Sequence, residues 1–240
     1  MIVRTAAIII IGNEVLSGRT QDKNFAFIAE RLESAGIDVR EGATIPDDRQ
    51  TIINTVHRLR PHTYIVTTGG IGPTHDDITA EAIAAAFNTP FALNPEAVKL
   101  LEAYYSAEQL NPARLRMAHI PVGASLIRNP VSQAPGFKLE NLFCLAGVPT
   151  IMQAMMDDVM THIEPGTPQQ TVVIDSFLPE GLIASDLSAV QDQYPEVSIG
   201  SYPSVFQGKH HTRLLLRSRN RDALQACADS VNAFIGRLSS

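Results

Sequence analysis

Residues 6 to 11, AAIIII, are six apolar positions in a row, followed at once by Gly12, Asn13 and Glu14. The run is far short of the ~20 apolar residues that a membrane span needs, and no small-residue cleavage site follows it, so it reads as a buried strand. Short β-branched runs of this kind alternate with helix-spaced apolar residues up to about residue 162. That alternation implies parallel strands joined by crossover helices, an α/β fold.

Strands are expected over 5–11, 37–45 and 63–67. Phe25, Ile28, Ala29 and Leu32 predict a helix over about 22–35, and Ile52, Ile53, Val56 and Leu59 predict a second. Gly36 ends the first at a position suited to positive φ. A helix carrying Ile78, Ala82, Ile83 and Phe87 follows the third strand, and Asn94-Pro95-Glu96 opens another with an N-cap and a proline at the first helical position. Helices over 95–106 and 112–118 are expected to cover the sheet, followed by a hairpin-like pair of strands at 125–127 and 142–146. A Met-rich helix from Val148 to Met160 then supplies core filler. Glu164 to Gln170, with two prolines and a glycine, separates domains at 1–165 and 171–240. The second reads as a small α+β module, with strands near 171–177, 197–202 and 212–218 and helices over 183–193 and 221–236.

Nineteen Lys and Arg against 25 Asp and Glu leave a net charge of −6 with no basic run, so neither DNA nor RNA is an expected partner, and no membrane is either. Cys144 and Cys227 stand far apart in no metal-type or CxxC spacing, which argues against a disulfide framework or structural zinc and fits a reducing cytoplasm. Cys144, between Phe143 and Leu145, reads as a buried small hydrophobe. His210 and His211 adjoin on a strand and point to opposite faces, so they read as exposed hairpin histidines rather than a metal pair.

The segment TTGGIGPTHDDITAE, Thr67 to Glu81, joins three glycines to three carboxylates at the end of the third strand. Glycine there lets backbone N–H groups face a ligand, and the following helix N-terminus adds partial positive charge, although strand-to-helix turns also use glycine for steric reasons alone. Asp76 and Asp77 either cap the helix or hold a hard cation between carboxylate and phosphate. Ligands of open parallel sheets collect beyond the C-terminal strand ends, where IGNEVLSGRTQDKN, IPDDR, NPVSQAPG and AGVP also fall. Glu14 is a ligand-facing carboxylate or a loop acid, Asn24 caps or lines the pocket, and Asp47 and Asp48 also suit a helix start.

Taken together, IGNEVLSG with Asn24, PDD at 46–48, TGGIGPTHDDITAE, APGF at 134–137 and AGVPTIM at 146–152 resemble the molybdopterin-binding domain family. Within it the likeness is to the N-terminal part of the CinA proteins, and it covers essentially the whole chain. The resemblance implies a three-layer α/β/α fold with a mostly parallel sheet, a small C-terminal α+β domain, and a phosphorylated pterin or nucleotide as ligand. It carries over Asp47 and Asp77 as the principal aspartates and Asp76 and Asp77 as metal ligands. Thr68, Gly69, Gly70, Gly72 and Pro73 carry over as the phosphate loop, with Thr79 and Glu81 bracing it. Glu14, Asn24, Pro135, Gly136, Gly147 and Pro149 complete the implied ligand-binding set.

CinA-type members resemble hydrolases of nucleotide diphosphates such as ADP-ribose or FAD. The implied cofactor is a divalent cation, Mg²⁺ or else Mn²⁺ or Co²⁺, with K⁺ as a candidate second ion, and a homo-oligomer, a dimer first, is the expected assembly. The alternatives are a module that binds without turnover and a molybdopterin adenylyltransferase-like role. The chain departs from the family pattern at Val131-Ser132-Gln133 and at Ile151, where an acid is usual. Full-length CinA proteins continue into an amidohydrolase domain acting on nicotinamide mononucleotide that these 240 residues do not include, so no deamidase activity is expected.

Overall fold

Strict alternation along β1 (Thr5–Ile11) sends its side chains into two different cores, which is what fixes this strand at the centre of the molecule's first unit. The computed structural model describes residues 3–206 and 208–239. It divides into two units, Met1–Gly166 and Thr167–Ser240.

In the first unit β1 is flanked by β2 (Asp38–Ile45) and β3 (Tyr64–Thr68), both parallel to it. A short α1 (Asn13–Leu16) and then α2 (Asn24–Ser34) lead from β1 to β2, and α3 (Arg49–Leu59) leads on to β3. After α4 (Thr79–Ala86) the chain forms a two-stranded antiparallel pair, β4 (Phe91–Leu93) with β5 (His119–Pro121), around α5 (Pro95–Tyr104), α6 (Pro112–Leu115) and a 3₁₀ turn at Arg116–Ala118. It returns to the main sheet as β6 (Ser125–Ile127), β7 (Gly136–Leu139) and β8 (Leu142–Leu145), and closes with α7 (Pro149–Thr161). The sheet order is β2-β1-β3-β8-β7-β6. The first four strands run parallel, while β7 is antiparallel to both β8 and β6.

Ala6, Ile8 and Ile10 pack with Val66 and Phe143 under Ile28 and Leu32 of α2 and Met152, Met155 and Met156 of α7. Ala7, Ile9 and Ile11 pack on the other face under Ile52, Val56 and Leu59 of α3 and Ala82, Ile83 and Ala86 of α4. Helices on both faces of a mostly parallel sheet make the three-layer α/β/α arrangement. Each face buries aliphatic side chains worth roughly 1.5–3 kcal/mol apiece, so the sheet holds the strand ends rigidly at the site.

Three expectations for the first unit change. The strands at 125–127 and 142–146 do not pair with each other: β7 lies between them, made by Gly136 to Leu139 and reversed at Glu140, which takes φ +51. The helices of 95–118 pack through a small cluster of Ala97, Leu101 and Ala118 with Ala134 and Leu126 of β6 against it, so they meet the sheet at its β6 edge rather than across its face. Asp76 and Asp77 lie before the fourth helix, not in its first turn, since α4 begins at Thr79.

The second unit pairs β9 (Gln170–Ser176) and β10 (Ser198–Phe206) with a central β11 (Lys209–Ser218), all antiparallel. Its core joins Ile174, Leu214 and Leu216 to Ile183 and Val190 of α8 (Glu180–Gln193) and Val231 and Phe234 of α9 (Arg221–Leu238). His211 is not the exposed histidine expected: its ring nitrogens meet Ser204 Oγ at 2.9 Å and Asp175 Oδ1 at 3.0 Å.

Candidate functional site

The strand ends of β1, β3 and β8 open into one cleft of about 540 Å³ in the first unit. Its shape follows from glycines. Gly69 leaves β3 at φ +103, donating its N–H to Leu145 O at 3.2 Å, and a Cβ there would strike the carbonyl oxygen of Ile11. Gly70 follows at φ +67, where a Cβ would strike Thr79 Oγ1, and its own carbonyl accepts from Thr79 N at 3.0 Å. Gly147, in the loop after β8, comes so near that a Cβ on it would lie 3.2 Å from Gly69 Cα. A left-handed backbone and three close approaches are what only glycine supplies at these positions.

The turn leaves the backbone N–H groups of Gly70, Ile71 and Gly72 with no acceptor among the described residues. Three successive free donors at the end of a buried strand form a concavity that suits phosphoryl oxygens. Carboxylates flank it. Asp47 Oδ2 accepts from Asn13 N at 2.9 Å, and its Oδ1 faces Gly70, 3.6 Å from where a Cβ would sit. Asp77 Oδ2 accepts from Thr74 N at 2.8 Å and Thr74 Oγ1 at 2.5 Å, which pins it within the loop. Each aspartate thus has one oxygen held and one left for a ligand.

Asp47 is free for this role because its neighbour does the capping. Asp48 is the N-cap of α3, accepting from Thr51 N at 2.8 Å and Thr51 Oγ1 at 2.6 Å. The Thr51 hydroxyl, and then its amide, hold the Asp48 carboxyl below the ordinary value of 3.8. Asp22 does the same for α2, taking the N–H groups of Asn24 and Phe25. Asn24, only 5% exposed, donates from Nδ2 to Thr68 Oγ1 at 3.2 Å and to Gly147 O at 2.8 Å, so it ties α2 to both loops. Its Oδ1 and the Oγ1 of Thr79 are buried without partners.

Of the residues singled out from sequence, Glu14, Asn24, Asp47, Thr68, Gly69, Gly70, Gly72, Pro73, Asp76, Asp77, Gly147 and Pro149 line this cleft. Thr79, Glu81, Pro135 and Gly136 do not. Thr79 is buried beside Gly70, and Gly136 is a packing glycine whose Cβ would meet Cys144 O and Met155 Cε. Lining residues not singled out include Val15, Lys23, Met117, Asn129 and Val148. Asn129 organises its loop, accepting from Val131 N and Ser132 N through Oδ1 and donating to Ser132 Oγ and Ala134 O through Nδ2. An Asn-Pro pair at a strand end was the available signal for it, whereas nothing local marks Met117, which a 3₁₀ turn places there.

The lining carries five carboxylates, Glu14, Asp22, Asp47, Asp76 and Asp77, and one ammonium, Lys23. Among the described residues no group of three or more His, Cys, Asp or Glu is placed to hold a metal. A donor set of oxygen atoms that falls short of a full cage fits a hard cation completing its shell with ligand oxygens and water.

Residues 7–165 match the family model described as "Probable molybdopterin binding domain". The chain belongs to the molybdopterin-binding domain family. Its second unit matches a model described as "FAD synthase, middle domain" over residues 169–237. A protein of Archaeoglobus fulgidus is 36% identical over 198 residues, 82% of this chain and 84% of that one. A "CinA-like protein" of Citrifermentans bemidjiense is 38% identical over 161 residues, 64% of this chain but 39% of that protein, so the likeness there takes in well under half of the relative. The crystal structure of the protein CinA with unknown function from Thermoplasma acidophilum superposes with a TM-score of 0.63 at 33% identity, covering 67% of this chain and 98% of that one. The molybdopterin-binding domain here therefore has CinA-like proteins among its relatives. No helix among the described residues is long and apolar enough to cross a membrane.

Proposed function

We propose that this cleft binds a nucleotide diphosphate of the ADP-ribose or FAD type with a divalent cation and hydrolyses its pyrophosphate bond. The observation that carries the reading is the run of three free N–H groups at Gly70, Ile71 and Gly72 set between the held carboxylates of Asp47 and Asp77. Donors alone would suit a bare anion; five carboxylates around them would repel it. Both features suit one ligand only when positive charge accompanies the phosphates.

Asp76 and Asp77 would hold the cation, which would supply charge neutralisation and a more acidic water. The glycine loop orients the diphosphate and takes up charge developing on its non-bridging oxygens. Water adds to one phosphorus as its bond to the bridging oxygen breaks, giving two monophosphates: AMP with ribose 5-phosphate, or AMP with FMN. The free carboxylate oxygen of Asp47, whose other oxygen accepts from Asn13 N, accepts the proton that the water loses. The match of the second unit to a FAD synthase middle domain agrees with a dinucleotide substrate.

Ile151 in the cleft lining, where the family pattern has an acid, favours a second reading, binding without turnover. AMP release from ADP-ribose and FAD with Mg²⁺, Mn²⁺ or Co²⁺, with and without K⁺, separates the two. Release that depends on the divalent ion supports hydrolysis, and ligand binding with no product under any of these ions supports the binding module.

A further inference from the structure

We infer that Lys23 is the cleft's own phosphate-binding side chain and sets its preference for ligands that carry a diphosphate; this rests on the reading of the cleft as a nucleotide diphosphate site. Lys23 is the single basic residue of the lining. It stands at the N-cap of α2, yet the capping is done by the neighbouring Asp22, so Lys23 has no structural duty at that turn. Asn24 next to it is buried and bonded to Thr68 and Gly147, which anchors the backbone that carries Lys23 at the cleft.

A lysine that served only solubility would be expected to close onto a carboxylate in so acidic a cleft. Five line it, and none is paired with the Lys23 ammonium; no other described residue is either. The carboxylates nearest the loops are otherwise held, Asp22 by helix N–H groups, Asp47 by Asn13 and Asp77 by Thr74. The ammonium is left with three donors and a long flexible stem at the rim of a cleft whose floor carries free N–H groups. A phosphate bound on those N–H groups completes the arrangement: backbone donors on one side, a mobile cation on the other.

The test is FAD binding, followed by flavin fluorescence quenching in EDTA at low salt, so that no metal and no turnover contribute. Lys23→Gln is expected to raise the Kd for FAD about tenfold, the loss of one partly exposed charge-assisted bond. Lys23→Arg should stay within about threefold of wild type, because it keeps the charge. Riboflavin, which has the ring and no phosphate, should bind both variants as it binds wild type, and the salt dependence of FAD binding should flatten in Lys23→Gln. Equal FAD affinity in Lys23→Gln, or equal weakening of riboflavin, overturns the assignment. AMP release by wild type with Mg²⁺ is read separately: its absence overturns hydrolysis while leaving the binding ratio decisive for Lys23. Failure of wild type to bind FAD or ADP-ribose even with Mg²⁺ present overturns both.

Discussion

Gly70 and Asp77 each serve the fold and the site at once, and substitutions can separate the two. Asp77 Oδ2 closes the 74–77 loop through Thr74 N and Oγ1, while its other oxygen faces the cleft. Asn at this position keeps an acceptor for Thr74 and removes the charge. Asp77→Asn is therefore expected to retain its melting temperature and to lose AMP release by about two orders of magnitude or more. Asp77→Ala should lose both, with stability down by about 1 kcal/mol. A variant Asp77→Asn as active as wild type would show that the charge is not used. Gly70→Ala is argued from geometry alone: φ +67 and the clash with Thr79 Oγ1 predict a loss of about 1–3 kcal/mol in denaturant unfolding. Wild-type stability in Gly70→Ala would mean that the loop relaxes without cost.

Among the elements, α3 shows how a cap leaves its neighbour Asp47 free to face the cleft. Asp48 takes the Thr51 amide and hydroxyl, and the Thr51 hydroxyl foremost holds its carboxyl below 3.8. A depressed folded value means that the cap's contribution is present above the unfolded value, and lost as pH falls through the folded one. Asp48→Ala should therefore melt below wild type near neutral pH, with the gap closing as pH falls below the ordinary carboxylate value of 3.8. A gap unchanged by acid would exclude this cap as its origin. The elements legible in the sequence are those with a long apolar period: β1, β3, α2, α3 and α7 all declare themselves by spacing. The β6-β7-β8 order did not, because β7 is four residues with Lys138 among them and its reversal uses Glu140 at positive φ instead of glycine. The cleft was legible where glycines and acids cluster after a strand. Lys23 and Asn129 lay within segments expected at that edge, whereas Met117 was not legible, since only the folded path brings it beside Thr68 to Gly72.

At the scale of the whole molecule, each unit has a core of its own, and Leu214 is fully buried in the second. Leu214→Ala is expected to cost about 2–5 kcal/mol in the unfolding of that unit and to leave ligand binding by the first unit unchanged. Calorimetry with and without ligand checks this, and a single transition that shifts as one would show the two cores to be coupled. Burial also pushes both thiols up, most strongly Cys144, so neither Cys144 nor Cys227 should react with a thiol reagent until the protein is unfolded. On the proposed function, an acidic cleft with a bare N–H cradle holds a diphosphate through a cation. It is tested most directly by titrating the non-hydrolysable methylene analogue of ADP-ribose in Mg²⁺ and then in EDTA. Binding at least about tenfold tighter with Mg²⁺, lost in Asp77→Asn, is the expected result. Equal affinity with and without the ion, in wild type and Asp77→Asn alike, would contradict it.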